Sequence, residues 1–309
     1  MGTDKTPNLI VILGPTASGK TSLAARVAAD FDGEILSADS RQVYRGLDLG
    51  TGKDLDEYIV EGKAIPFHLI DIADPGDEFN LFAFQRHFLD CYSEIRHRGK
   101  RPILVGGTGL YLESVILHYR LREVPEDDAF RKSLAGLDME SLTDLYLSQT
   151  DRLPHNKTDM TDRDRLIRAI EIARDSRSAL EEPAQQVLQG IVPIVFGIHW
   201  DRNVLRQRIT KRLKSRLASG LVEEVRGLHE RGLTWERLDA FGLEYRYIAN
   251  YLKGDMTYDQ MFRALETKIH QFAKRQDTWF RRMERRGVRI TWLNGPDYKG
   301  IRKILQVML

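Results

Sequence analysis

The sequence has almost no cysteine and no long apolar run. Its 309 residues include a single cysteine, Cys91, which excludes a disulfide framework and any zinc module built from several cysteines. No stretch approaches the roughly 18 consecutive apolar residues of a membrane-spanning helix, and the first residues, MGTDKTPN, lack the charged-then-apolar pattern of a secretory signal. We therefore expect a cytoplasmic protein that does not associate with a membrane.

The chain also has almost no net charge, so its total charge indicates no partner. Lysine and arginine number 47 against 45 acidic residues, which gives a net charge of +2. Basic residues are nevertheless concentrated in two stretches, 202–216 and 274–289, which carry seven each. One such stretch would be explained by a solvated helix face, but two favour a polyanionic partner such as nucleic acid.

A glycine-rich loop lies between an apolar strand and a helix at residues 9–21, LIVILGPTASGKT. The spacing is that of the phosphate-binding pattern G-x-x-x-x-G-K-[ST] in its required context. Backbone N–H groups and the helix N-terminus hold phosphate oxygens in such a loop, while the lysine adds charge and the hydroxyl suits Mg²⁺. The residues predicted to bind a diphosphate or triphosphate are Gly14, Pro15, Thr16, Ala17, Ser18, Gly19, Lys20 and Thr21. The loop alone does not distinguish a kinase, a hydrolase or another transferase.

Acidic residues follow two of the strands predicted after this loop. Asp39 follows the strand 34–38, and Asp71 follows the strand 65–70. Ligands of open α/β sheets bind at the carboxyl ends of the strands. Three roles are open for Asp39: Mg²⁺ ligand, general base, or cap of a short helix predicted after it, which is the commonest role. Asp71 resembles the acid that holds Mg²⁺ in nucleotide hydrolases.

A second glycine-rich turn, GGTGLY, follows the predicted strand 103–105 and has Thr108 at its crown. We expect the two turns to face one ligand pocket, because both follow parallel strands at the same edge of the sheet.

The order of the predicted elements indicates an α/β fold: a P-loop parallel sheet wrapped by helices, with a helical insertion domain and a helical C-terminal region. The core is assigned to residues 1–119 and 191–309 and the insertion to 120–190, a stretch without a strand-like run. Helices are predicted at 139–149, 162–175, 202–217, 219–231, 241–252 and 257–285. The position of the insertion suits a lid or a substrate-gripping element.

Several motifs, in one order, resemble the tRNA dimethylallyltransferases, the bacterial tRNA isopentenyl-pyrophosphate transferases. They are GPTASGKT (14–21), SADSRQVYRGLDLGTGK (37–53), FHLIDIADP (67–75), VGGTGLYL (105–112), RLIRAIEIAR (165–174), SRLASGLVEEVRGL (215–228), GLEYR (242–246) and AKRQDTWFRR (273–282). The resemblance covers nearly the whole chain. GTGLY and KRQ-x-TWF in combination with DSRQVY distinguish this family from other P-loop proteins.

The resemblance implies transfer of a dimethylallyl group from dimethylallyl diphosphate to N6 of the adenosine 3′-adjacent to the anticodon (position 37) of tRNA, with release of diphosphate. It makes Asp39 the general base, places Thr108 against the extruded nucleotide or against Asp39, and assigns the leaving-group arginine to Arg212, with Arg208 and Arg216 as competitors. It also implies Mg²⁺ on Thr21 and, as partner, the anticodon stem-loop of tRNA; we expect a monomer. The residues expected to contact tRNA are Asp39, Ser40, Arg41, Gln42, Thr108, Asp164, Arg165, Leu166, Ile167 and Arg168.

Two stretches depart from the family pattern. Residues 50–54, GTGKD, stand where relatives usually have Gly-Thr-Ala-Lys-Pro. Residues 161–165, TDRDR, replace Asn-Asp-x-Gln-Arg, which puts the carboxylate of Asp164 where relatives have a base-contacting glutamine. These departures bear on tRNA contacts and leave the proposed chemistry untouched.

The main alternative is a P-loop small-molecule or nucleoside kinase, with Asp71 as the Mg²⁺-linked acid and Asp39 as the base. It explains the loop and the sheet but neither the two basic helices nor GTGLY. A free-adenylate isopentenyltransferase would share the donor site, and the long insertion argues against it. The intact GKT sequence argues against an RNA-binding module without enzymatic activity.

Overall fold

A computed structural model of the protein describes residues 6–121, 123–150, 160–175 and 182–309. The chain divides into two compact units, Met1–Tyr119 with Gln186–Leu309, and Arg120–Gln185. The second unit corresponds to the predicted insertion at 120–190, with an earlier end.

The first unit is built on a six-stranded sheet in which every neighbouring pair is parallel, as the sequence predicts. Its strands are β1 (Leu9–Leu13), β2 (Gly33–Ala38), β5 (Phe67–His68), β6 (Arg101–Gly106), β7 (Pro193–His199) and β8 (Ile290–Asn294), in the order β5-β2-β6-β1-β7-β8. Strands β3 (Ile59–Val60) and β4 (Lys63–Ala64) form a separate antiparallel pair. All five residues of β1 are buried, as expected for a central strand covered by helices on both faces.

Helices surround this sheet. They are α1 (Lys20–Asp30), α2 (Leu81–His97), α3 (Gly109–Ile116), α8 (Arg202–Ala218), α9 (Leu221–Glu230), α10 (Trp235–Ala240), α11 (Leu243–Leu252), α12 (Tyr258–Arg285) and α13 (Tyr298–Met308). A short 3₁₀ helix spans Leu55–Tyr58. The longest helix, α12, begins at a capping box formed by Thr257 and Gln260 and buries a stripe of side chains spaced three or four residues apart. Gln276 belongs to that buried stripe.

The second unit is helical. It contains α4 (Asp128–Ser133), α5 (Met139–Gln149), α6 (Arg163–Arg174) and the start of α7 (Glu182–Gln189). Aspartates cap the first three of these helices, which fixes where each begins. Its small core is made of Leu134, Leu142, Tyr146, Leu166, Ile167 and Ile170.

Two predictions of local structure are wrong. The strand predicted at 65–70 is reduced to Phe67–His68, because Leu69 and Asp71 adopt left-handed backbone conformations with φ of 66° and 55°. The short helix predicted after Asp39 does not form, and residues 40–43 make a turn instead. Asp39 is therefore not a helix cap.

Across the described ranges, no helix combines the length and apolar character that crossing a membrane requires.

Gly106 allows β2 and β6 to approach closely beside Asp39. A Cβ atom at Gly106 would lie 2.2 Å from the carbonyl oxygen of Ala38, a backbone atom that cannot turn away. We expect Gly106→Ala to lower the free energy of unfolding by about 1–3 kcal/mol or more, as overpacking does, measured by urea titration. The matched control is Gly76→Ala, since nothing lies within 4 Å of the position that a Cβ atom would take there, and its stability should change by less than about 0.5 kcal/mol. Equal stability of the two variants would contradict this account.

Candidate active site

The glycine-rich loop of residues 14–19 joins β1 to α1 at the carboxyl edge of the sheet. Ala17 and Gly19 adopt left-handed conformations, with φ of 60° and 87°. Two side chains bond the loop's carbonyl oxygens: Arg208 Nε donates to Ala17 at 2.8 Å, and Trp200 Nε1 donates to Ser18 at 3.0 Å. The first N–H groups of α1 have no acceptor within the helix, which makes this end of the loop suited to an anion.

Gln276 of α12 connects the two glycine-rich turns. Its Oε1 accepts the N–H of Thr16 at 2.9 Å, and its Nε2 donates to the carbonyl oxygen of Gly107 at 2.9 Å. A Cβ atom on Gly107 would lie 3.3 Å from the carbonyl oxygen of Gly14 and 2.4 Å from Gln276 Nε2. The two turns are therefore adjacent, as the sequence predicts, and their spacing depends on one buried amide.

Asp39 and Thr108 lie at the ends of the neighbouring strands β2 and β6. Thr108 Oγ1 accepts the N–H of Ser40 at 3.0 Å, and the Thr108 N–H donates to Ala38 at 3.2 Å. Asp39 Oδ1 accepts the N–H of Arg41 at 3.0 Å. These bonds fix the half-buried carboxylate of Asp39 at the same sheet edge as the glycine-rich loop.

Two of the three candidate arginines on α8 contact the loop: Arg208 bonds a backbone carbonyl oxygen, and Arg212 reaches a side-chain hydroxyl. Arg212 Nη1 lies 3.5 Å from Thr16 Oγ1, and its Nη2 donates to Asp54. Arg208 Nε is occupied by the carbonyl oxygen of Ala17, and its guanidinium carbon lies 4.7 Å from the centre of the Trp200 ring. The geometry therefore favours Arg212 over Arg208 for contact with a bound anion.

Lys20 carries an unusual charge balance. Burial and then the positive charge of Arg212 lower the pKa of the Lys20 ammonium to about 8, while Asp39 and Glu57 act in the opposite direction. A bound anion would restore the ordinary basicity of the lysine. The charge of the Lys20 side chain therefore changes near pH 8 when no anion is bound.

Several residues predicted to contact tRNA have other contacts in the structure. Gln42 is buried: its Oε1 accepts from Ser37 Oγ at 3.0 Å, and its Nε2 donates to Gly52 at 2.9 Å. The prediction for Leu166 and Ile167 is corrected, because both side chains pack in the core of the helical unit, where helix periodicity places them.

The three polar residues predicted on α6 differ in their surroundings. Asp164 and Arg165 are exposed. Arg168 pairs with the buried Glu171 at 2.9 Å and donates to the carbonyl oxygen of Val124 at 2.5 Å. Arg168 thus ties α6 to its own unit.

Asp71, the acid considered for Mg²⁺, is paired with the buried Lys53. Lys53 also bonds Asp48 at 2.6 Å and the carbonyl oxygen of Tyr44 at 2.9 Å. The carboxylate of Asp71 is therefore paired with a lysine of the preceding loop. This pairing weakens the kinase alternative, which requires Asp71 to hold Mg²⁺.

Three residues of the site have no role in the sequence-based prediction. Asp54 pairs with two arginines of α8, and Gln276 joins the two turns. Glu224, in the first turn of α9, accepts N–H groups from three successive residues, 48–50, and the hydroxyl of Tyr245. All three lie in segments quoted in the sequence analysis, Asp54 in GTGKD, Glu224 in SRLASGLVEEVRGL and Gln276 in KRQ-x-TWF, but their partners are distant in sequence and no local pattern indicates them.

Helices α8 and α12 form an open basic groove. The side chains that line it are Arg206, Gln207, Thr210, Lys211, Lys214, Glu266 and His270. Arg206, Lys211 and Lys214 carry positive charge at neutral pH against the single carboxylate of Glu266, so the groove suits a phosphate backbone. It joins part of the basic stretch 202–216 to the helix that holds Gln276.

Comparison with known proteins places the chain in a family. A model of the IPP transferases matches residues 42–283, and a model of isopentenyl transferases matches residues 7–65. The chain belongs to the IPP transferase family. The matches to the family models together span both glycine-rich turns, Asp39 and Arg212.

Relatives within this family are similar over nearly their whole length. The chain is 54% identical to a tRNA dimethylallyltransferase of Syntrophus aciditrophicus, covering 97% of each chain. It is 56% identical to one of Geotalea daltonii, covering 93% of this chain and 91% of the relative. These names confirm the family predicted from the motifs and do not favour the kinase alternative.

Solved structures in the family share the architecture. The full-length tRNA isopentenylpyrophosphate transferase of Bacillus halodurans superposes with a TM-score of 0.69 at 30% identity, covering 98% of this chain and 96% of that one. A eukaryotic dimethylallyltransferase acting on tRNA matches with the same TM-score at 23% identity, covering 89% of this chain and 70% of that one, which supports the fold.

Proposed function

We propose that the protein transfers the dimethylallyl group of dimethylallyl diphosphate to N6 of the adenosine 3′-adjacent to the anticodon (position 37) of tRNA, releasing diphosphate. The observation that carries the proposal is the position of Asp39 at the same sheet edge as the glycine-rich loop and Arg212. Family membership selects this chemistry among those that a phosphate loop can serve.

The reaction assigns each group one task. The adenine N6 forms a bond to the allylic carbon while that carbon's bond to the diphosphate oxygen breaks. The exocyclic amine is a weak nucleophile, and the Asp39 carboxylate accepts its proton as attack proceeds. Lys20, Arg212 and the backbone N–H groups at the start of α1 stabilise the negative charge that develops on the departing diphosphate.

Mg²⁺ is proposed as the cofactor, held by Thr21 together with diphosphate oxygens and water. Thr21 lies in the first turn of α1, next to Lys20, and supplies a hard oxygen ligand of the kind that Mg²⁺ binds. In the described part of the chain, no three histidine, cysteine or acidic residues lie together as a metal site, so most ligands would come from the substrate and water. The ion would neutralise charge on the leaving group.

For the tRNA, we propose two kinds of contact. The basic groove of α8 and α12 binds backbone phosphates, and Ser40, Arg41 and Thr108 contact the extruded adenosine beside Asp39. Extruding an anticodon-loop base costs a few kcal/mol at most, because such bases are only partly constrained. In the helical unit, Asp164, Arg165 and Arg168 remain candidates for contact with the stem-loop.

We further propose that the protein acts as a monomer in the cytoplasm. Every group assigned to the chemistry belongs to a single chain and to one compact unit, Met1–Tyr119 with Gln186–Leu309. The compartment follows from the tRNA substrate.

Radiolabelled dimethylallyl diphosphate tests the function directly. The protein is incubated with labelled donor and unmodified tRNA or free AMP, and in parallel with ATP and nucleosides. We expect label on tRNA at the adenosine beside the anticodon and no label on AMP. Label on neither acceptor, or phosphoryl transfer from ATP, would contradict the proposal.

Diphosphate binding should depend on the protonation of Lys20. In the protein without diphosphate, the pKa of Lys20 is about 8, so its side chain is a charged ammonium below that pH. Above that pH, Lys20 must take up a proton when diphosphate binds. We expect the Kd for inorganic diphosphate to rise by up to about tenfold per pH unit above pH 8, measured by calorimetry. Lys20→Met has no group to titrate at this position, so the pH dependence of its diphosphate binding measures the titration of diphosphate itself. Parallel pH profiles in the two proteins would show that Lys20 is not the linked group.

The basic groove should contribute to tRNA affinity without affecting the donor site. Replacing both Lys211 and Lys214 with alanine is expected to weaken tRNA binding about tenfold and to reduce the salt dependence of binding, because phosphate contacts are lost. The matched control replaces Lys299 and Lys303, two lysines of α13, and should leave tRNA affinity within about twofold. Filter binding at several salt concentrations measures both. Equal affinities of the two double variants would exclude the groove from the tRNA-binding surface.

A further inference from the structure

Asp54 places a carboxylate against two arginines of α8. Nη2 of Arg216 lies 3.1 Å from its Oδ2 and 3.3 Å from its Oδ1, and Arg212 Nη2 donates to the same Oδ2. Although burial raises the pKa of Asp54, the two arginines outweigh it and hold that pKa below its ordinary value. The carboxylate is therefore charged at neutral pH.

Arg212 lies between this carboxylate and the phosphate loop. Its Nη1 is 3.5 Å from Thr16 Oγ1, whereas its Nη2 is bound to Asp54. A guanidinium binds a carboxylate or a phosphate through the same fork of N–H groups. A diphosphate seated in the loop can engage this fork fully only if Arg212 gives up contact with Asp54.

The chain that leads into Asp54 is anchored. Glu224 accepts the backbone N–H groups of residues 48–50 at 3.2, 2.6 and 3.1 Å. The ammonium of Lys53, whose side chain is 1% exposed, donates to the carbonyl oxygen of Tyr44 at 2.9 Å. Because these bonds hold the backbone that leads into Asp54, the partner that can move is the Arg212 side chain.

Arg216 is more buried than Arg212 and has less room to move. Only 11% of the Arg216 side chain is exposed, compared with 30% of Arg212. A Cβ atom on Gly52, whose φ is 69°, would lie 1.9 Å from Arg216 Nη2 and 2.8 Å from Arg212 Nη2, so both guanidinium groups lie on this backbone and that of Arg216 lies closer. Arg216 therefore continues to balance the carboxylate when Arg212 turns to the diphosphate.

We propose that the Asp54 carboxylate competes with the diphosphate group of the donor for Arg212. Arg212 pairs with Asp54 in the free enzyme, turns to the diphosphate when the donor binds, and pairs with Asp54 again when the diphosphate product leaves. The competition lowers the affinity for the donor's diphosphate group and speeds release of the diphosphate product. This inference rests on the proposed function, since it requires the loop to bind diphosphate.

The test compares binding of inorganic diphosphate, in buffer containing MgCl₂, by calorimetry and stopped-flow dissociation. Asp54→Asn removes the charge while tolerating the left-handed φ of 42° at this position. We expect its Kd to be about fivefold to tenfold lower than that of the wild type, with slower dissociation, because Arg212 no longer has a charged carboxylate to which it can return. Asp56→Asn is the matched control: Asp56 is exposed, forms no ion pair among the described residues, and should leave Kd within about twofold.

An Arg212→Ala background sharpens the test. If Asp54 acts through Arg212, adding Asp54→Asn to Arg212→Ala should change Kd by less than about twofold. Asp54→Ala serves as a second variant, and thermal unfolding checks that both variants are folded. Diphosphate binding by Asp54→Asn that is equal to or weaker than that of the wild type overturns the inference and leaves Asp54 a positioning residue. Absence of diphosphate binding by the wild type and all variants would contradict the proposed function itself.

Discussion

Asp39→Asn is expected to lower kcat for tRNA prenylation about 10³-fold, within the range that a positioned general base contributes, while diphosphate binding stays within about threefold of the wild type. Asparagine keeps an Oδ1 acceptor for the Arg41 N–H, so the turn at residues 40–43 is preserved. It cannot take the proton of the adenine amine. Single-turnover assays with labelled donor measure the chemical step, and calorimetry with inorganic diphosphate measures the donor site.

Two further variants separate chemistry from structure at this position. Asp39→Ala removes both the base and the turn acceptor, and we expect it to lose turnover and also some thermal stability. Asp56→Asn makes the same change of charge at an exposed carboxylate of the 3₁₀ helix and should keep wild-type turnover. If Asp39→Asn retained kcat within about tenfold of the wild type, Asp39 would be a turn-forming residue and another group would have to accept the proton.

The sequence predicts the fold well where the signal is local. The helix predicted at 139–149 spans Met139–Gln149, and the helix predicted at 257–285 spans Tyr258–Arg285. The strand after residue 65 is shorter than its apolar run, because Leu69 and Asp71 turn the backbone into the left-handed region. A branched residue such as Leu69 rarely adopts that conformation, so no local pattern indicates it.

The site shows the same division between local and distant signals. The loop and the position of Asp39 follow from spacing along the chain. Gln276 reaches Thr16 across 260 residues, and Arg212 reaches Asp54 across 158, so neither contact has a pattern in one stretch of sequence. The opposite error occurs at Leu166, where a family motif suggested an RNA contact although helix periodicity places the side chain in a core.

Arg212→Ala is expected to lower kcat/KM for dimethylallyl diphosphate about 10²–10³-fold, the effect of losing one donor that stabilises a developing negative charge. Because Arg212 also binds the ground-state diphosphate, part of the loss should be in KM and part in kcat. Arg212→Lys keeps the charge but not the planar fork and should recover only a fraction of the activity.

The size of this effect depends on whether the remaining cations replace Arg212. Lys20 loses a positive neighbour in Arg212→Ala, so its pKa should rise, and the pH dependence of diphosphate binding should move to higher pH. Arg216 stays paired with Asp54 and packed against Gly52, and it cannot take over the contact with the loop. Arg202→Ala, an exposed change at the start of the same helix, is the control and should match the wild type. An Arg212→Ala enzyme within about threefold of wild-type kcat/KM would mean that the loop and Lys20 alone carry the leaving group.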